Sequence, residues 1–222
     1  MIAAPLLIAL CLVAGTQAGT YVDTNHYIDT LFAQTIPSYG GLTQYVLPGT
    51  KFQVGSGGLI TGLLTNPLRV TVKQGKVSGA LPPFGLRRLG DCSAPTVVSG
   101  VVTIGCYATL DAFKVTFPGS YARGTLLAAV KQFIVEGVLR NSKLYLEIAA
   151  QPGQTPSLKT WNVLPSNIIL TFSRKPDLDA ASMQTFDNAI ALHIKKTFNA
   201  WVFGPLMQAV ARAAAINPLP LP

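Results

Sequence analysis

The stretch VVTIGCYATLDAFKVTF (Val101 to Phe117) limits the architecture more than any other part of the chain. Val102, Ile104, Cys106, Ala108, Leu110 and Ala112 alternate with Thr103, Gly105, Tyr107, Thr109 and Asp111, as in a half-buried strand. The parity then flips, and Phe113, Val115 and Phe117 become the apolar set around Lys114 and Thr116. The run is far longer than an ordinary strand of about five or six residues. A β-bulge near Asp111–Phe113 accounts for the flip, because a bulge bends a strand and re-aims its side chains. The expectation is one long, bent strand.

Other strand patterns surround it. Leu68, Val70 and Val72 alternate with Arg69, Thr71 and Lys73, and Gln74–Gly75 interrupts them. An apolar segment runs from Leu126 to Val138, and Asn141–Ser142 forms a turn. Leu144, Leu146 and Ile148 then oppose Lys143, Tyr145 and Glu147. After a loop bracketed by Pro152 and Pro156, Ile168, Leu170 and Phe172 oppose Ile169 and Thr171. Connections this short make the pairs antiparallel. The stretch containing Gly55, Gly57 and Gly58 reads as loops and weak turns.

Helical patterns bracket the strands. Tyr27, Ile28, Leu31, Phe32 and Ile36 share one face, with Asp23 or Thr24 as N-cap and Pro37 and Gly40–Gly41 as the stop. Near the C-terminus Asp179 caps a longer helix, in which Met183, Phe186, Ile190, Ile194, Phe198 and Trp201 recur every three or four residues. Up to Phe203 it spans on the order of 37 Å at about 1.5 Å per residue. Gly204–Pro205 should kink or break it before Leu206–Ile216 continues. The reading is an α+β domain over 19–216, followed by a loose proline-rich tail over 217–222.

Composition narrows the class. Hydrophobic residues make up 49% and charged residues 12%, with a formal net charge of +8, which excludes disorder. MIAAPLLIALCLVAGTQA, residues 1–18, reads as a secretory signal ending in small residues, although it lacks a basic start. The rival reading, a membrane anchor, needs a run of roughly 20 residues. Secretion leaves Cys92 and Cys106 to pair, closing a loop of about 15 residues worth roughly 3 kcal/mol. The apolar run Ala200–Ile216 also admits a membrane or glycolipid-anchor reading, but Gln208 and Arg212 interrupt it. A helix packed on a sheet is the plainer account.

Catalytic signals are missing. His26 and His193 lack the spacing or cysteine partners of a metal site, no G-x-S-x-G elbow occurs, and Gln74–Val77 is no phosphate loop. The expectation is a non-enzyme without metal or cofactor. Arg87–Arg88, Arg174–Lys175 and Lys195–Lys196 are pairs without interleaved aromatics, so nucleic acid is not an expected partner. An anionic lipid or bacterial surface fits the charge better, and scattered surface lysines need no partner at all.

The order helix, long antiparallel strands, long helix resembles the tubular lipid-binding superfamily. That group includes bactericidal/permeability-increasing proteins, juvenile-hormone-binding and takeout proteins, and the group 7 mite allergens. Leu68-Arg69-Val70, GALPPFGLRRLGD (Gly79 to Asp91) and VVTIGCYATLDAFKV with its Asp111–Ala112 pair carry the resemblance, which is nearest to the group 7 allergens and related secreted arthropod proteins. It implies a single antiparallel sheet, strongly curved and super-rolled around the long C-terminal helix, with an apolar groove and no catalytic residues. The function expected is that of a secreted, extracellular carrier of a lipid or other small hydrophobic ligand. The alternative is a cationic defence protein binding lipopolysaccharide or other microbial surface lipids. Phe113, Val115 and Phe117 on the strand and Met183, Phe186 and Ile190 on the long helix are the expected lining, with Ile28, Leu31 and Phe32 on the first helix behind them. A filled core of the same residues remains the competing reading.

Overall fold

The expected α+β arrangement holds, with curved antiparallel sheets, a short N-terminal helix and a long C-terminal one, and the described strands divide into two hydrogen-bonded sheets rather than a single one. The computed structural model describes residues 19–38, 42, 45–55, 67–80, 85–124 and 128–220. The leader 1–18, the Gly40–Gly41 stop, Gly57, Gly58, Leu81–Phe84, Leu126 and the end of the tail lie outside the described residues.

The first helix, α1 (Tyr21–Thr30), is capped by Thr20 rather than Asp23 or Thr24. Thr20 and Asp23 form a reciprocal capping box, so Asp23 serves as its third residue. A π-helical turn (Leu31–Thr35) leads into the short α2 (Ile36–Ser38). Tyr27, Ile28, Leu31, Phe32 and Ile36 are all buried, as their spacing requires.

The larger sheet has seven strands. β1 (Val46–Leu47) and β2 (Thr50–Val54) form one edge and pair with β4 (Gly75–Ser78) and β3 (Leu68–Val72), respectively. β3 and β4 lie end to end along β8 (Lys114–Arg123), and the Lys73 N–H between them donates to Pro118 O at 2.8 Å. On the other side of β8 come β9 (Lys131–Arg140) and then β12 (Asn167–Phe172). The smaller sheet has five strands. β5 (Arg87–Arg88) and β6 (Thr96–Val98) share one edge of β7 (Val101–Thr109), and β10 (Leu144–Ala150) and β11 (Ser157–Val163) lie beyond its other edge. All pairings are antiparallel.

The parity flip at Asp111–Phe113 is therefore a corner and not a bulge. β7 ends at Thr109 in the smaller sheet, the Phe113 N–H closes a turn on Leu110 O at 2.9 Å, and β8 starts in the larger sheet. The chain crosses back between β9 and β10 at Asn141 (φ 54°), then again between β11 and β12. Hydrogen bonds join these crossings. The Ser142 N–H and hydroxyl donate to Asp111 Oδ1 at 2.8 and 2.5 Å, and Ser142 Oγ accepts the Leu110 N–H at 2.8 Å. The Leu164 N–H donates to Lys143 O at 2.8 Å, tying in the third crossing.

At Gly204–Pro205, where a kink or break was expected, the α-helix is interrupted by a π-helical turn, but helical bonding continues through it. α3 (Ala180–Trp201), capped by Asp179, passes through a π-helical turn (Val202–Leu206) into α4 (Met207–Ile216). Pro205 sits inside that turn, and Met207 N–H reaches back to Val202 O. The wider register absorbs a residue that has no N–H and would crowd an α-helical carbonyl. α3 packs on the larger sheet, while α4 packs on β11 and the first helix. The tail is held more firmly than a loose end: Asn217 Nδ2 donates to Ala213 O, Tyr27 donates to Asn217 O, and Leu219 packs against the core.

The inner face of the larger sheet sets rings over glycines. A Cβ at Gly119 would lie 2.3 Å from the ring of Phe133, its cross-strand partner, and one at Gly75 would lie 2.5 Å from Phe117. Gly119→Ala is expected to destabilise by about 1–3 kcal/mol through overpacking, visible as a lower denaturant midpoint. Ser142→Ala strips the buried Leu110 N–H of its acceptor and should also cost about 1–3 kcal/mol. A urea midpoint unchanged by this second substitution would show that the hydroxyl does not pin the crossing.

Candidate functional site

The interior follows from the direction of α3. Its Phe186 meets Phe133, Phe172 and Phe52 at ring separations of 6.0, 5.7 and 6.3 Å. His193 lies 5.4 Å from the Phe117 ring, Ile194 and Val115 both close over Gly137, and Trp201 lies 5.2 Å from Phe113. The helix thus runs back along β8, and about 1.5 Å per helical residue against 3.3 Å per strand residue keeps the two in step.

The residues expected to line a groove separate into two groups. Phe113, Val115, Phe117, Phe186 and Ile190 are fully buried between the larger sheet and α3, with Met183 half-buried at their margin. Ile28, Leu31 and Phe32 are buried on the first helix, which packs against α4 and β5. Arg88 fixes that helix by pairing with Asp29 at 3.0 Å, and Asn25 Oδ1 accepts the Cys92 N–H at 2.9 Å. The Cys92–Cys106 disulfide, anticipated from the cysteine count, joins this loop to β7.

Two cavities among the described residues lie elsewhere. One of about 350 Å³ opens at the end of the smaller sheet, between Val102, the loop Ala150–Pro156 and the helix end Ala215–Ile216, with Pro218 and Leu219 beside it. Another of about 310 Å³ lies against the tail and is lined by Asp23, His26, Tyr27, Thr30 and Asn217. Sequence reasoning identified Pro152 and Pro156 only as loop brackets. No periodicity links that loop to a tail more than 60 positions away, so nothing in the pattern announces a shared wall.

Two indoles add polarity to apolar surroundings. Trp201 is fully buried between Phe113 and Phe198, and neither its Nε1–H nor that of Trp161 on β11 meets an acceptor among the described residues. On the outer face of the smaller sheet, Tyr145 donates to Glu147 Oε1 at 2.7 Å, and the Thr160 hydroxyl donates to the other carboxylate oxygen. These bonds hold Glu147 below the usual carboxylate range, while burial and the Glu147 contact push the Tyr145 phenol up to about 12. The arrangement braces the sheet and brings no nucleophile to a base. Among the described residues, no group of three or more side chains is placed to hold a metal ion.

No protein-family model matches the chain. The chain is similar to salivary anticoagulant protein P23 of Ixodes scapularis, with 25% identity over 164 residues, or 71% of either chain. No helix among the described residues is long and apolar enough to cross a membrane.

His193 supplies a pH test. Burial lowers its pKa, Lys196 adds to the lowering, and the hydrogen-bond contact with Pro48 O at 3.0 Å partly offsets both. The unfolded chain then takes up the proton first as pH falls below about 6.5. Stability should be level above that pH and decline below it until the lowered folded pKa is passed. Urea midpoints for His193→Gln should lose part of this decline, and an identical pH profile would exclude His193 as its source.

Proposed function

We propose that the chain is a secreted, non-catalytic carrier of a small hydrophobic molecule, held at the end of the smaller sheet. The cavity of about 350 Å³ beside the α4 terminus carries this reading. Apolar groups from Val102, Ala150, Pro152, Ile216 and Leu219 form much of its wall, while Gln151, Gln154 and Thr155 supply a few polar groups. That mixture is typical of small-molecule sites, and the volume lies near the lower end of their range of about 300–1,000 Å³. A compact apolar ligand with one polar end fits better than a long-chain lipid. The reading moves the ligand away from the interior set around Phe113, Phe117 and Phe186, whose side chains are fully buried. The salivary relative supports delivery in a secreted fluid.

A fluorescent apolar probe such as N-phenyl-1-naphthylamine should bind the purified chain, and mass spectrometry of solvent extracts should recover a co-purifying small molecule. Ala215→Trp places an indole in the cavity and should weaken probe binding by roughly tenfold or more, about 1.4 kcal/mol. Thermal unfolding should change little. Absence of probe binding, or binding unaffected by the filled cavity, would overturn the assignment.

A further inference from the structure

Five lysines converge on one edge of the larger sheet, although they are spread over the chain from position 51 to position 196. The turn Pro48–Gly49 between β1 and β2 is their common neighbour. Gly49 packs on the β3–β4 connection so closely that a Cβ there would lie 2.4 Å from Val72 O and 3.1 Å from Lys73 O. Val46 pairs with Lys76, Lys51 pairs with Thr71, and His193 on α3 reaches Pro48 O at 3.0 Å. Lys51, Lys73 and Lys76 therefore stand on the strand side of the turn and Lys196, one helical turn on from His193, on the helix side, with Lys195 further round the outer face of the helix; all of them are exposed.

Nothing in the described protein neutralises this group. None of the five forms an ion pair with a described carboxylate. Glu136, on the adjoining sheet face, is held by Lys114 at 2.6 Å, and Asp187, on the same helix, is held by Lys175 at 2.6 Å. Apolar side chains stand among the charges. Leu192 is 69% exposed, Val46 50%, Phe203 46% and Tyr45 36%. Leu192, Lys195, Lys196 and Phe203 recur at helical spacing, so they form one stripe along the outer face of the helix.

We propose that this edge docks the protein on the surface of an anionic phospholipid bilayer. The lysines face the headgroups, and Leu192, Phe203, Val46 and Tyr45 enter the boundary between headgroups and acyl chains. Long lysine stems suit this arrangement, because they lie along apolar surface while the ammonium stays at the headgroups. A soluble polyanion would engage the charges but leave the exposed Leu, Phe and Val without a role. The surface stands independently of the carrier reading, since its residues do not line the cavity at the smaller sheet.

Co-sedimentation of the full chain with phosphatidylcholine vesicles, with and without phosphatidylserine, tests the proposal. Binding should require phosphatidylserine and fall steeply with salt. The pairs Lys73→Glu/Lys76→Glu and Lys195→Glu/Lys196→Glu should each weaken it by roughly tenfold or more. Leu192→Ser should weaken it at unchanged net charge. Lys143→Glu/Lys159→Glu makes the same charge change away from this edge and should leave most binding intact. Circular dichroism and thermal unfolding establish that each variant folds. The proposal is overturned if vesicles do not bind, or if the control pair weakens binding as much as the edge pairs. Indifference to Leu192→Ser together with equal capture by heparin would also overturn it and make the edge a polyanion site.

Discussion

The carboxylate of Asp111 holds together the point at which the fold changes sheet. It accepts from both the backbone and the hydroxyl of Ser142, and that hydroxyl in turn accepts from Leu110. One acceptor and one hydroxyl therefore connect the β7–β8 corner to the β9–β10 crossing. Burial would raise the Asp111 pKa, but hydrogen bonds involving Ser142, Asn141 and Thr109 outweigh it and hold the group below its usual range. The pin is an ionised one and is complete at neutral pH. Ser142 is almost wholly buried, so a change at either partner would leave polar groups without replacement water.

The helices obey the same division. α3 serves the larger sheet and α4 the smaller, and the π-helical turn between them follows Trp201, which packs on Phe113 at the corner. The wider turn accommodates Pro205 and lets helical bonding continue from α3 on the larger sheet to α4 on the smaller. The buried indole beside that turn is a polar donor within an aromatic cluster. Trp201 and Trp161 are the two tryptophans of the chain, so removing Trp161 would leave the junction with a fluorophore of its own.

Much of this was legible in the pattern of residues, and the failures share a cause. Alternation identified the inner faces of β3, β8 and β10, helical spacing identified the buried stripe of α3, and the cysteine count identified the disulfide. A parity flip, however, is the same signal whether a strand bulges within one sheet or turns a corner into another. Distinguishing the two needs the partner strands, which are remote in sequence. β2 and β11 went unread because edge strands such as TKFQV and SLKTWNV bury only part of one face and are otherwise polar. The capping role of Thr20 and the π turn at Pro205 depend on local backbone register, which residue type alone leaves open. The cavity was hidden for a different reason: its walls come from a loop and a tail without periodicity.

Dividing the fold between two sheets also separates its candidate functions. The cavity belongs to the end of the smaller sheet, with its lining on β7, the β10–β11 loop and the α4 terminus. The basic, partly apolar edge belongs to β1, β2, β4, the β3–β4 connection and the outer face of α3 on the larger sheet. Separate placement removes a conflict that a single groove would create, because positive charge beside an apolar cavity would favour anionic ligands over neutral ones. The α3–α4 helix with its π turn and the crossings tied at Asp111 and Lys143 are connections that join the two sheets.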